Sequence, residues 1–354
     1  VFLATAATSA AQLNHVATVP LGSAAHDIKV IGGLAYVSTD KGLSVLDVSS
    51  GASPVMLGSV AIRVSGRCEG LDVSGTLAFL ACQKAGVFVV DVTNPAAPTI
   101  LGSKRLAGSI WDVAAKGTIV YATSFNGELF VLDVTDPSVP RQVTVRGLLA
   151  WHSARQDASL SSKMRLAPKA GSAKSTSVAI VGDVLLTNDW NYGRLYAFDV
   201  STPENPVFAG THYVPFVLGV TGDPEKQVAY MVVGYGRMSG LYTLPMALLD
   251  PFVPTRYDTC ADCRFLKSNG NIDMGGLGLS PGGDHLVYLG GYSSEFHVVD
   301  VSDPLAPVDV ASTTQGSHGL RLAETMGAAM AGDFIYATAG TQGLRVYSFP
   351  GASD

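Results

Sequence analysis

Three residue pairs near the start of the chain fall one after another at nearly equal spacing: His26-Asp27, Glu69-Gly70 and Trp111-Asp112. Carboxylates brought together in a narrow channel push one another's pKa apart, leaving one of them a proton donor near neutral pH. With His26 beside them, Glu69 and Asp112 could serve acid–base catalysis or hold a divalent cation. No resident cofactor is expected beyond that possible cation. A second concentration is the run Asn188-Asp189-Trp190-Asn191-Tyr192-Gly193-Arg194, a polar and aromatic mixture suited to stacking on a ligand. Tyr235-Gly236-Arg237, Tyr292, Trp151, His152, Asn271, Asp273, His318 and Glu324 join these candidates from elsewhere in the chain.

Two chemistries can be written on this set. In a lyase acting on a uronate polymer, Arg237 would neutralise the sugar carboxylate. His26 or His152 would take the α-proton, and Tyr235 or Tyr192 would protonate the leaving oxygen. In a glycosidase, two of Glu69, Asp112, Asp27 and Asp189 would act as acid and base. The same groups also suit plain binding. Asp27, Trp111, Trp151, Asp189, Trp190, Asn191, Tyr192, Tyr292 and His318 would then contact a glycan, peptide or other small molecule. Structural readings stand beside these. A His or Asp opening a strand satisfies loop N–H groups, and Trp111 could pack against a neighbouring unit. His297 alternates with Phe296 and reads as structural, and His285 sits next to a Pro281-Gly282-Gly283 turn.

The elements that must position these residues come from an internal repeat. Gly42-Leu-Ser-Val-Leu-Asp-Val-Ser-Ser-Gly-Ala-Ser-Pro54 returns as Gly86-Val-Phe-Val-Val-Asp-Val-Thr-Asn-Pro-Ala-Ala-Pro98. Further copies begin at Glu128, Arg194 and Glu295, and two degenerate ones at Gly240 and Gly343, which makes seven. A period of about 42–44 residues signals a repeat architecture. Each period reads as four short strands joined by turns such as Gly32-Gly33. Four-stranded units repeated seven times predict an all-β, seven-bladed β-propeller, with four antiparallel strands per blade. The last repeat stops after its third strand, at Tyr347-Ser-Phe. The segment His15–Pro20 is expected to supply the fourth and close the ring.

The phrase Leu-x-Val-Val/Leu-Asp-Val-Ser/Thr-x-Pro-x-x-Pro resembles the LVIVD repeat family of bacterial exported propellers. The likeness extends from about residue 15 to 349 and implies the propeller fold and export. It implies no particular reaction, because one fold hosts many functions.

In an antiparallel blade the first-to-second and third-to-fourth turns lie on one face, and here they are short and uniform. The second-to-third loops and the crossings between blades lie on the other face. Both insertions, at about 147–175 and 256–271, are expected there. Variable loops on a rigid scaffold carry function, so the site is assigned to that face.

Composition bounds the rest. The 354 residues are 47% hydrophobic and 15% charged, with net charge −6. That supports a core and excludes a disordered chain. No apolar run reaches about 18 residues, which argues against a transmembrane segment, and no basic stripe points to nucleic acid. Residues 1–12 read as a signal-peptide remnant or frayed tail, leaving 13–354 as one propeller. A secreted or periplasmic location follows, with a protein partner also open. Cys68, Cys82, Cys260 and Cys263 allow three pairings. Cys68 and Cys82 flank a hairpin nearly symmetrically about Gly75, and Cys260-Ala-Asp-Cys263 lacks the second pair a zinc site would want. Local disulfides are expected. No P-loop, G-x-G-x-x-G, G-x-S-x-G, H-E-x-x-H or EF-hand loop is present.

Overall fold

The computed structural model describes residues 11–148, 175–191, 193–234, 239–249, 255–256, 260–267, 277–279, 283–290, 295–313 and 327–349. They form seven sheets arranged as the blades of a propeller. Blade one shows the pattern: Ala25–Ile31 innermost, then Leu34–Thr39, Gly42–Asp47, and Val55–Ala61 outermost. Gly32 and Gly33 turn its first hairpin with φ of 58° and 79°, the left-handed region that a tight two-residue turn demands.

Burial explains why the repeat phrase is so apolar. Each blade packs face to face with two neighbours, so its middle strands are covered on both sides. Leu34–Thr39 and Gly42–Asp47 are almost wholly buried, whereas Val55–Ala61 is largely exposed. Seven apolar clusters result, one between each pair of neighbouring blades. Among the described residues the helical ones are Leu148 and a short 3-10 turn at Met246–Leu248, and no helix there is long and apolar enough to cross a membrane.

The ring closes as the repeat count requires. Asn14–Val19 pairs antiparallel with Leu344–Ser348, from Asn14 against Ser348 to Val19 against Leu344. The preceding Ala11–Gln12, expected to belong to a tail, lies parallel on the outer strand of blade six, with Ala11 opposite Ala311. The N-terminal segment therefore ties blade six to blade seven.

The second expected insertion needs a correction. Arg264–Lys267 is the outer strand of blade five, paired with Gly240–Pro245. The connection from Met246 to Cys263 thus joins a third strand to a fourth and is not a crossing between blades. Arg264 fits that placement, donating from Nε to the Leu305 carbonyl in the corner of blade six at 2.8 Å. Thr255–Arg256 within this connection adds a parallel strand to blade four. The first insertion, from 149 to 174, lies outside the described residues.

The cysteines pair locally, Cys68 with Cys82 and Cys260 with Cys263. The first bond fastens the entry to blade two beside Glu69. The second closes a short loop just ahead of Arg264.

Candidate functional site

The innermost strands run around a central channel, and their first residues open on the variable face. At that end Asp27 and Asp112 occupy equivalent places and do the same structural work. The Asp27 carboxylate accepts from its neighbour's amide, Ile28 N–H, at 2.8 Å and from Leu71 N–H of blade two at 3.0 Å. Asp112 accepts from Val113 N–H at 2.8 Å and from Val178 N–H of blade four at 2.9 Å. Ser177 extends the series, its hydroxyl accepting from Val220 N–H of blade five at 3.2 Å. One layer deeper, Asp72 accepts from Ala115 N–H of blade three at 2.8 Å. Each link staples one inner strand to the next.

Blade two breaks the series with Gly70, and the reason is steric. A Cβ there would lie 2.3 Å from an Asp112 carboxylate oxygen and 2.8 Å from the Trp111 carbonyl. Gly327 plays the same part beside Asp27, where a Cβ would lie 2.7 Å from the Asp27 Cα. The small residues let the acids of adjacent blades lean in.

These side chains border a cavity of about 650 Å³ at the channel mouth. Asp27, Lys29, Asp72, Asp112 and Glu69 are in its wall, together with Trp111, Phe125, Trp190 and Leu218. Trp111 and Leu218 owe their positions to β-bulges, where the register of their strands slips by one residue. The Trp111 ring rests against Phe125 with centroids 5.2 Å apart. Burial pushes Asp112 up to about 7, and the nearby charge of Asp27 adds to the rise. Asp27 is raised for the same first reason. Burial opposes the charge on Lys29, but Asp72, Asp27 and Asp112 outweigh it and raise the amine. Asp112 is thus the acid of this wall whose raised value suits a proton donor near neutral pH.

Glu69 is completely buried. Its Oε1 accepts from Arg67 Nε at 2.5 Å and Gln83 Nε2 at 2.8 Å. Gln83 adopts φ of 44° to reach it, an uncommon left-handed conformation for a residue with a side chain. Glu69 Oε2 accepts no hydrogen bond and has His26 Nδ1 at 3.7 Å. His26 turns its other nitrogen to Asp40 at 2.7 Å and stays behind Glu69, outside the cavity wall. The structure therefore brings Glu69, Asp112 and Asp27 to one cavity, with His26 reaching it only through Glu69.

The Asn188–Arg194 run divides. Asn188 accepts from Thr176 and Ser177 N–H and donates to the Val217 carbonyl, a fully engaged staple between blades four and five. Asp189 is buried and accepts from Asn191 N–H at 3.0 Å, and Asn191 itself is exposed. Among the described residues of this run, Trp190 alone lines the cavity. Tyr192, Trp151, His152, Tyr235, Arg237, Tyr292 and His318 lie outside the described residues, as do Asn271, Asp273 and Glu324. His297 is structural as expected, its Nδ1 2.6 Å from Asp309. Lys29 and Asp72 escape a reading that stops at the first residue of each inner strand. Alternation would have found them, since they follow Asp27 and Gly70 by two and share their face.

Residues 22–62, 65–104 and 107–144 match the LVIVD repeat. No curated protein matches the chain. Among solved structures, the chain is similar to the β-propeller domain of Cps50 (Swd1) from Myceliophteria thermophila. Identity there is 13%, the match covers 95% of this chain and 99% of that one, and the TM-score is 0.65. A chain of a mitotic checkpoint complex gives 13% identity, coverage of 98% and 93%, and a TM-score of 0.65. A computationally designed protein, Ika8, gives 10%, coverage of 95% and 100%, and 0.57. At such identities the likeness establishes the fold alone. The three matched spans coincide with blades one to three, the same phrase recurs in blades four and six, and the chain is a seven-bladed β-propeller whose first three blades match the LVIVD repeat.

Proposed function

We propose that the protein is an exported ligand-binding propeller whose site is the cavity at the variable-face end of its channel. The composition of the wall carries this reading: Trp111, Phe125 and Trp190 line the same space as Asp27, Asp72, Asp112 and Glu69. At about 650 Å³ the space suits a small molecule or one or two units of a glycan or peptide. The aromatic rings supply stacking area, and the acids supply orientation. The two disulfides support an oxidising compartment, secreted or periplasmic.

A second reading, an enzyme acting on polysaccharide, draws on Asp112, whose pKa of about 7 suits a general acid. It is the weaker of the two. Both oxygens of Asp112 already accept backbone N–H groups, so the group is committed to holding blades together. The test is a panel of neutral and acidic oligosaccharides and short peptides, read by tryptophan fluorescence, thermal shift and new reducing ends. A ligand that binds the parent and is lost in both Trp111→Ala and Trp190→Ala, with melting temperatures unchanged, is the expected result. Binding that survives both changes would move the site elsewhere. New reducing ends that disappear in Asp112→Asn would establish the enzymatic reading instead.

A further inference from the structure

We infer that the cavity selects a small organic cation, an ammonium head held between the rings of Trp111 and Trp190 and the carboxylates of Asp27, Asp112 and Glu69. This rests on the ligand-binding reading above and names the class of ligand. The charge balance is the first argument. Four acidic side chains border the space, with Glu69 paired to Arg67 and Asp112 partly protonated near neutrality, and Lys29 is the one basic side chain among the described residues that does so, so acids outnumber bases in the described wall. Lys29 sits one layer deeper than Asp27 and is already within the field of Asp72, Asp27 and Asp112.

Glu69 supplies an independent second observation. It is completely buried, it lines the cavity, and its Oε2 accepts no hydrogen bond. A buried carboxylate oxygen left in this state is costly, and a cation brought to the cavity wall beside it would offset part of that cost. His26 does not fill that need, since its Nδ1 stands 3.7 Å away and its Nε2 is engaged by Asp40.

The wall also separates an organic cation from a metal ion. Among the described residues no three His, Cys, Asp or Glu side chains converge as metal ligands would. Asp27 and Asp112 each spend both oxygens on backbone N–H groups, which leaves them able to attract charge but poorly placed to coordinate an ion. Trp111 and Trp190 are the rings that bind ammonium groups best, through the face of the indole. Alkyl groups on the nitrogen would cover the apolar part of the wall.

The experiment titrates the full-length protein with choline and with putrescine, following tryptophan fluorescence and calorimetric heat. The control is 3,3-dimethyl-1-butanol, which has the shape of choline without its charge, and acetate serves as the anion. The expected result is saturable binding of one or both cations, with the neutral isostere weaker by about tenfold or more. Choline alone would mark a quaternary head, and putrescine alone a primary amine. Trp190→Ala and Glu69→Gln should each weaken the cation by about tenfold, and Trp190→Phe should restore part of that loss. Glu69→Gln disturbs a buried group, so its melting temperature is measured, and Trp190→Ala carries the test if it fails to fold. Equal binding of the isostere and choline overturns the inference, as does preferential binding of acetate. If both cations fail while a neutral glycan from the panel binds through Trp111 and Trp190, the cation is wrong and the ligand-binding reading stands. If nothing binds in the cavity, both fall.

Discussion

The molecule carries two families of aspartate, and they behave in opposite ways. Asp47, Asp91, Asp133 and Asp199 end the third strands of their blades on the uniform face. Each accepts the N–H of the Ser or Thr two residues on, at 2.8 to 2.9 Å. Asp27 and Asp112 open inner strands on the other face and also accept backbone N–H groups, at 2.8 to 3.0 Å. The corner acids are held below the usual carboxylate range. For Asp47 and Asp91 the hydroxyls of Ser49 and Thr93 are the main cause, and Arg141 takes Asp133 down to about 2. The channel acids are raised by burial. Backbone N–H bonds are common to the two sets; the corner acids add hydroxyl or guanidinium donors, and the channel acids are buried, so added donors lower the first and burial raises the second. Solvated acids punctuate the fold, whereas enclosed ones hold the blades and keep a proton available near neutrality.

The largest perturbation attacks the ring on which both sets depend. Deleting residues 12–20 removes the outer strand of blade seven and half of the short strand laid on blade six. A terminal blade with one strand fewer exposes the faces it shared with its neighbours. The melting temperature should fall by on the order of 10 °C or more, measured by calorimetry. A truncated protein that melts with the parent would show that the ring holds without its clasp, and the corner and channel acids would then have to be compared blade by blade.

A pair of glycines sharpens the comparison at smaller cost. Gly58, in the outer strand of blade one, lies under the Pro95-Ala96 corner of blade two, where a Cβ would stand 2.6 Å from the Ala96 carbonyl oxygen. Gly70 lies against Asp112 and Trp111 in the channel. Gly58→Ala and Gly70→Ala should each cost about 1–3 kcal/mol in denaturant unfolding, since backbone must move in both. Only Gly70→Ala should shift the tryptophan emission and weaken ligand binding. Equal loss of binding from both would erase the distinction between a folding face and a working face.

The sequence showed the first family plainly and the second only in part. Asp47, Asp91 and Asp133 stand inside a phrase repeated almost letter for letter, because every blade needs the same turn. The seven blades and the His15–Pro20 clasp follow from counting that phrase. The glycine at position 58 was not legible, since its requirement comes from a corner of the next blade, some forty residues on. The acids of the channel were legible as equivalent positions, but their staple role was not, because each partner N–H belongs to another blade. The placement of residues 246–263 failed for a related reason. The outer strand of blade five, Arg264–Lys267, lacks the usual Pro-x-x-Pro lead, so the chain before it read as a crossing. Trp111 and Trp190 stood out because they interrupt the repeat, and both line the cavity.

The smallest effect concerns pH, and its sign separates the two families. Folded Asp112 holds its proton up to about pH 7, whereas its ordinary value is 3.8. Between those values the folded state binds a proton that the unfolded state has released. Its contribution to stability therefore grows as pH falls from 8 and levels off near the ordinary value. The corner acids run the other way: their contribution is present above the ordinary value and is lost as pH falls through the folded one, near 2 for Asp133. A third group complicates the acid side. His212, buried between blades four and five, is pushed down to about 4 by burial, so stability drops as pH falls from 6.5 toward 4. The clean window is pH 8 to 6.5, where His212 stays neutral in both states for most of the range. There the parent should gain about 1 kcal/mol relative to Asp112→Asn, because the variant keeps an amide oxygen but no longer titrates. Asp91→Asn should run parallel to the parent over the same range and diverge only in acid. Urea unfolding at four pH values resolves this, and a parallel course for Asp112→Asn would mean that the channel acid is as solvated as those at the corners.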